Sequence, residues 1–416
     1  MQDSAINFSP KVCIKEDAMK RTSLYYFICL SVFFVSMTGI DLIRVSDAHA
    51  IPAWARKYDQ PCQMCHYPAV PRLNTFGHKF RQAGFRTPDE INQDIKVENV
   101  SNYLSVRGRG RYVLNNFESS SNKDISDFRW NDTTLFYAGP AGRNFSGFAE
   151  FEWEAEDTIG LVASISGLWG SKDHFTTLRV GQFHTLSRVG FGGFDRPTGI
   201  STPSIRSANL TKDVKFTLGA DQRGFEVAHV HKSTLFPERS RIILQITNGV
   251  NTAGSGTEND NDTQKDYTLA FEQILDNRAS GFTLIYYSGI YTGAADRFWF
   301  QRYGGTASWV LPSGLEFQGG YIRSTDDPNI SDKVNANALY LELEQYLASL
   351  ELTGLVRYDI IDPDDTAGDD RTTILTAGAV RSMQEWLKVS VEGSANSKQA
   401  ADTTDYSLIG EVMINF

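Results

Sequence analysis

The sequence predicts an all-β fold, an antiparallel outer-membrane-type β-barrel of about 16 strands behind a small helical N-terminal segment. Three observations carry that expectation. From about residue 100 to the end, apolar and polar residues alternate in runs roughly ten residues long. Beyond the first fifty residues no apolar run approaches the roughly 20 that a spanning helix needs, although the chain holds 34 Gly, 26 Phe, 17 Tyr and 7 Trp. Long polar connections (117–127, 185–212, 251–266, 324–334, 362–371, 395–404) alternate with short ones (139–144, 170–173, 275–281, 311–314, 347–349, 383–385). Loops at one rim and tight turns at the other are the pattern of such barrels, and a soluble sandwich has no reason to keep it.

Taken in chain order, residues 1–50 read as a leader. Lys20 and Arg21 precede an apolar stretch from Leu24 to Ile40, and Ala48-His49-Ala50 offers a small-x-small cleavage site before Ile51. Met19 is an alternative start, and an uncleaved anchor is the competing reading of the stretch. Residues 51–98 form a second segment and 99–416 the barrel. Of the 4 cysteines, Cys13 and Cys29 fall in the leader, so no disulfide framework runs through the body. The remaining pair, Cys62 and Cys65, calls for a special use.

That use is written in Cys62-Gln63-Met64-Cys65-His66, a C-x-x-C-H motif. Two thiols at this spacing can add to both vinyl groups of a haem, with the following histidine as proximal iron ligand. A redox dithiol would want a βαβ context and a zinc half-site more ligands nearby, and neither is present. The expectation is one covalent haem c held by Cys62, Cys65 and His66. Next comes a short helix: Pro71 suits its first turn, and Leu73, Phe76 and Phe80 recur on one face. His78 is a candidate distal ligand. At helical spacing it falls nearly opposite that face, so it points away if the apolar face packs on the porphyrin. The competing readings are a polar residue bonded to its surroundings, Met383, a barrel histidine (His174, His184, His229 or His231), or an open position.

Charge divides the chain. Residues 51–86 carry Arg56, Lys57, Arg72, Lys79, Arg81 and Arg86 against Asp59 alone, while the whole chain is at −10. A basic head on an acidic body favours docking of one onto the other. In the first strand, Arg107, Arg109 and Arg111 alternate with Val106, Gly108, Gly110 and Tyr112; near residue 150, Glu150, Glu152, Glu154 and Glu156 alternate with Phe151, Trp153 and Ala155. Charges at every second position cannot face lipid and must line a lumen. The arginine row is expected to meet haem propionates and the glutamate row the basic head, unless the rows pair with each other. Acidic stretches at 258–262 and 362–370 suggest an anionic rim. Phe416 closes an amphipathic strand, an ending similar to the signal read by barrel-assembly machinery.

The residues Ile51-Pro52-Ala53-Trp54-Ala55-Arg56-Lys57-Tyr58, the Cys62–His66 motif, and Pro71-x-Leu73-Asn74-x-Phe76-Gly77-x-x-Phe80-Arg81-x-x-Gly84-Phe85 resemble the outer-membrane monohaem cytochrome c–porin fusions of iron(II)-oxidising bacteria. Leu178-Arg179-Val180-Gly181-Gln182-Phe183 and Ile246-Thr247-Asn248-Gly249 look like phosphate-selective-type porins. The resemblance implies a bacterial outer-membrane location, with the haem segment entering from the periplasmic side and lipid around the barrel. It implies an iron(II):cytochrome c oxidoreductase that takes electrons from extracellular iron(II) by outer-sphere transfer and gives them to a periplasmic cytochrome c or similar acceptor. No catalytic side chain and no nucleic acid enter. The alternatives are an outward conduit to an extracellular acceptor and a transport porin with a haem-containing plug. A hydrocarbon layer of roughly 25–30 Å separates the two sides, so one haem serves as a relay only inside the barrel.

Overall fold

A computed structural model describes residues 53–118, 123–154, 159–185, 191–212, 214, 217–232, 236, 238–249, 263–292, 297–328 and 332–416. The leader reading and the acidic stretch at 258–262 lie outside the described residues. Among the described residues, 16 strands close into one antiparallel barrel in chain order, and β16 pairs with β1. They are β1 (Leu104–Asn116), β2 (Ile125–Ala141), β3 (Phe145–Glu154), β4 (Ile159–Gly170), β5 (His174–His184), β6 (Asp221–Lys232), β7 (Arg239–Thr247) and β8 (Asp266–Ile274). The second half holds β9 (Gly281–Thr292), β10 (Arg297–Val310), β11 (Leu315–Pro328), β12 (Val334–Leu347), β13 (Leu352–Asp362), β14 (Thr372–Gln384), β15 (Leu387–Lys398) and β16 (Thr403–Asn415). Most of the long connections, such as 185–220 and 363–371, gather at one rim. Short turns such as 142–144, 171–173 and 385–386 occupy the other, which also receives both ends of the barrel.

The wall is inside out relative to a soluble sheet. On β12, Leu341 and Leu343 are exposed while Glu342 and Glu344 beside them are buried. Trp169, Trp309 and Phe145 project outward near the turn rim, and Trp153, Trp299 and Tyr267 near the loop rim. Two aromatic girdles around an apolar band, with charge turned inward, are what a lipid-spanning barrel requires. No described helix is long and apolar enough to cross a membrane, and the strands do the spanning.

The N-terminal segment lies inside this wall. It comprises α1 (Ala53–Tyr58), a 3₁₀ turn at Cys62–Met64, and α2 (Thr75–Gln82). The sequence placed Pro71 in the first turn of α2, but the helix starts four residues later. Asn74 caps it, its side-chain oxygen accepting from the Gly77 N–H at 3.0 Å, while Pro71 belongs to the turn before. The Asn74 carboxamide also donates to the Gln63 and Met64 carbonyls at 3.0 Å, binding the helix to the C-x-x-C turn. Gly77 allows this closeness, since a Cβ there would sit 2.2 Å from the Cys65 oxygen.

This plug is sewn to the turn rim. Arg86 donates to the carbonyls of Gly142 and Phe145, Asn92 to Gly170, Thr75 to Asp276 and the Cys62 thiol to Glu385; Lys79 pairs with Glu238. Above it, the 185–220 connection folds into the lumen and carries the short helix α3 (Ser204–Ser207). Phe194, Ile205, Leu210, Val214 and Leu218 of that connection share an apolar cluster with wall residues that include Ile243, Ile285, Phe300 and Tyr340. Gly192, at φ +61°, runs against Tyr340 and the Ala307 carbonyl, where a side chain would collide.

Placing Arg at Leu341, mid-strand on the outer face, is expected to cost roughly 2–4 kcal/mol, as at a bilayer midplane. An exposed position of a soluble sheet would change by about 0.5 kcal/mol at most. Urea unfolding of the barrel in lipid vesicles distinguishes the two.

Candidate functional site

Plug, wall and inward connection together enclose a cavity of about 500 Å³, within the range of roughly 300–1,000 Å³ typical of cofactor sites. Its floor is the plug. Cys62, Cys65 and His66 all line it, and so do Leu73, Phe76 and Phe80, the apolar face read from the helical spacing. Trp54 stacks on Phe85 at 5.0 Å and meets Phe80 edge-on at 5.2 Å; Phe85 in turn stacks on Phe148 of β3 at 5.9 Å. Trp54 has its indole N–H satisfied by the Ala138 carbonyl at 3.0 Å. The result is an aromatic floor fixed to the wall.

The attachment residues have the chemistry a covalent haem needs. His66 donates from Nδ1 to the Arg72 carbonyl at 3.0 Å, which leaves Nε2 as the lone-pair nitrogen. Burial lowers its pKa, so the ring stays neutral, the form that binds metal. Burial pushes both the Cys62 and Cys65 thiols up to about 11. Redox-active dithiols show the opposite shift.

The rest of the lining is cationic in surplus. It carries the guanidinium groups of Arg81, Arg179, Arg196 and Arg241 against the carboxylates of Asp195 and Glu226. Arg179 and Arg241 reach Glu226 at 2.6 and 3.0 Å, and Arg241 also reaches Glu272 at 3.2 Å. Even so, the Nε–H groups of Arg179 and Arg241 are buried with no acceptor from the protein. Orphaned donors on an apolar cavity fit a ligand that brings its own carboxylates, as haem brings two propionates. The residues therefore fit the group.

His78 is engaged elsewhere and does not line the cavity. It is 1 % exposed and stacks on Phe191 of the inward connection at 4.2 Å. Arg81 donates to its Nδ1 at 3.2 Å, and its Nε2 faces Asp195 at 3.4 Å. An imidazole that accepts from a guanidinium cannot also carry a proton there. Burial accordingly lowers its pKa to about 3 despite Asp195. Met383, His174, His229 and His231 do not line the cavity either, whereas His184 does.

The charged rows differ from one of the two expectations. Arg107 and Arg109 pair with Asp132 and Glu152, and Arg111 with Glu411, so acids of the neighbouring strands hold the arginine row, which does not line the cavity; of the glutamate row Glu152 joins these pairs, Glu150 faces His184, and Glu156 lies outside the described residues. The plug's buried cations find other acids: Arg72 bridges Glu316 and Glu344, and Arg81 holds Asp195 at 3.2 Å. Sequence reasoning missed Arg179, Arg196 and Arg241 as cavity residues. Their only signal is an inward register position on strands beside Glu226 or, for Arg196, adjacency to Asp195. The acids at 362–365 form a less anionic rim than expected, because Asp362 pairs with Arg371, Asp364 with Lys212 and Asp365 with Arg323.

No family model and no curated protein matches the sequence. The fold is similar to that of an anion-selective porin from Comamonas acidovorans, at 10 % identity and TM-score 0.53 over 75 % of this chain and 98 % of that one. It is also similar to OmpT, an outer membrane protein of Vibrio cholerae, at 11 % identity and TM-score 0.51 over 75 % and 99 %. The chain has the porin fold.

Arg72→Met is expected to loosen the plug by about 3–5 kcal/mol, because two buried carboxylates lose their shared cation. Protease accessibility of residues 53–98 in the otherwise intact barrel reads this directly.

Proposed function

We propose that this protein is an outer-membrane electron conduit that carries one covalent haem c in its lumen, oxidises extracellular iron(II), and passes electrons to a periplasmic cytochrome c. The observation that carries the reading is that Cys62, Cys65 and His66 open onto a cavity within the barrel wall, lined by aromatic rings and surplus guanidinium groups. A c-type motif in periplasmic solvent would serve a soluble carrier. The same motif walled in by strands serves a relay through the membrane.

Cys62 and Cys65 would hold the haem as thioethers, each S–H having added across one vinyl group with no leaving group, and His66, oriented by the Arg72 carbonyl, would hold the iron through Nε2. When bound, haem supplies a one-electron ferric/ferrous couple inside the hydrocarbon layer. Arg179 and Arg241 offer their orphaned donors to propionates, and Trp54, Phe80, Phe85 and Phe148 exclude water. Burial and nearby charge of this kind tune a haem potential. The net change is iron(II) to iron(III) outside and one electron added to an acceptor inside. No general acid, base or nucleophile is needed, which agrees with a lining dominated by apolar and cationic groups.

Height matters for a relay. Along β5 the lining runs from Thr177 to His184. Seven steps at ~3.3 Å give roughly 23 Å of strand, or about 18 Å along the normal at a ~40° tilt. That is a large part of a hydrocarbon layer of roughly 25–30 Å. In this reading the turn rim, where the plug is sewn in, faces the periplasm.

The porin fold itself favours one second reading, transport through the lumen. The plug and the 185–220 connection both occupy that lumen, so an electron path is the better use of it. An outward conduit would use the same residues with the driving force reversed.

The deciding experiment mixes the detergent-purified haem protein with iron(II) in a stopped-flow spectrometer. Fast appearance of the ferrous bands is expected, and more slowly reduced iron oxides on the reverse assay. Absence of reduction by iron(II), or open-porin conductance in planar bilayers, would sink the proposal. C62A/C65A is expected to lose haem stain on denaturing gels while keeping the heat-dependent migration of a folded barrel.

A further inference from the structure

We propose that His184, at the last position of β5, is the second axial ligand of the haem iron, and that Asp221 on β6 is the residue that positions it. This deepens the haem reading above and rests on it.

The cavity restricts the choice. Apart from the attachment residues, the nitrogen or sulfur side chains on its lining that suit haem iron are Met64 and His184. Met64 belongs to the turn between the two anchoring thiols, directly before His66 and on the same short stretch of plug. A chain that hands the iron His66 on one side has no length left to bring Met64 to the other. His184 comes from a different element, the barrel wall, at the point where β5 gives way to the inward connection.

Its ring is prepared in the way a ligand ring is. His184 and Asp221 are register partners across the β5–β6 ladder, and Nδ1 contacts the Asp221 carboxylate. A carboxylate against that nitrogen favours Nδ1–H, and in the neutral ring the lone pair is then on Nε2, the arrangement that orients and strengthens metal-bound histidines. Nε2 is buried and has no hydrogen-bond partner; Glu150 Oε2, the nearest acid to it, stands at 3.7 Å, beyond bonding distance. His66 shows the same construction, with Nδ1–H committed to a carbonyl. Two imidazoles from two parts of the fold thus face one cavity, each with its outer nitrogen occupied. His78, with Nδ1 accepting from Arg81, has the opposite arrangement.

The assignment gives the fold a consequence. The plug supplies one ligand and the wall the other, so plug seating and iron coordination become one event.

The test is the ferric spectrum of the detergent-purified haem protein, by electron paramagnetic resonance and magnetic circular dichroism. Wild type is expected to be low-spin with two imidazole ligands. H184A is expected to convert to high spin with covalent haem content and barrel migration unchanged, and added imidazole to restore the low-spin signal. H184M should stay six-coordinate with a raised potential, since methionine ligation favours the ferrous state. D221N should keep low spin with a smaller upward shift. H229A, on the outer face, is the control and should match wild type. A high-spin wild type, or an H184A spectrum identical to wild type, overturns the assignment and leaves the conduit reading standing. A protein with no covalent haem overturns both, and the pyridine haemochrome assay separates these cases.

Discussion

A buried charge inside a lipid-facing wall must find a partner, and that single constraint arranges most of this molecule. The strands turn their charged residues inward because hydrocarbon will not hold them, and the lumen they create is crowded with carboxylates. A plug bearing Arg56, Lys57, Arg72, Lys79, Arg81 and Arg86 supplies cations to such a space. Arg72, 2 % exposed, between Glu316 and Glu344 is the clearest case. Pairs this deep lose much of their attraction to desolvation, so they contribute little net stability. What they add is position: any other seat for the plug would strand ions without partners. Arg81 extends the logic upward, because its partner Asp195 lies on the inward connection. Floor and ceiling of the cavity are therefore joined by an ion pair.

The cavity follows from how the three parts stop short of one another. The plug fills the turn side and the 185–220 connection fills the loop side with its apolar cluster. Between them the wall turns aromatic and cationic residues inward, chiefly on β2 to β7. The hydrogen-bond record shows where this space is incomplete on its own terms. Arg179 and Arg241 keep Nε–H donors that no protein atom accepts, and both side chains line the cavity.

The barrel was legible in the sequence because its evidence is local. Alternation such as Leu341-Glu342-Leu343-Glu344 declares two faces without any knowledge of neighbours, and the lengths of successive connections declare two rims. The inward side of Phe76 and Phe80 was legible for the same reason, whereas Leu73 reaches the same cavity from the stretch before the helix. The partners of the charged rows were not. Whether Arg109 meets a propionate or Asp132 depends on the register of β1 against β2, including the shift at Arg109/Gly110, and periodicity carries no register. The choice among seven histidines depends on more still. His78 lies twelve residues from His66 and is turned aside by Arg81 and by Asp195 and Phe191 of a connection more than a hundred residues away. His184 lines the cavity from β5, more than a hundred residues from the motif, and no local spacing relates the two.

Porin fold and electron relay are not competing descriptions of this chain. The fold provides a cylinder whose interior must be polar, and the content of that interior decides the use. With water in it, the cylinder passes solutes. Here the same cylinder receives about 46 residues of plug from the N-terminal side of the barrel, and they carry the two thiols and the imidazole of the motif. The described part of the inward connection packs its apolar cluster against the wall within the same lumen. In the proposed reading the insulating property of the wall would be the functional one, because a low-dielectric sleeve would keep a bound electron carrier from exchanging with solvent on either side. A design of this kind needs no moving gate, and the rigid ties from plug to turns through Arg86, Asn92 and Thr75 are consistent with a site that works by staying still.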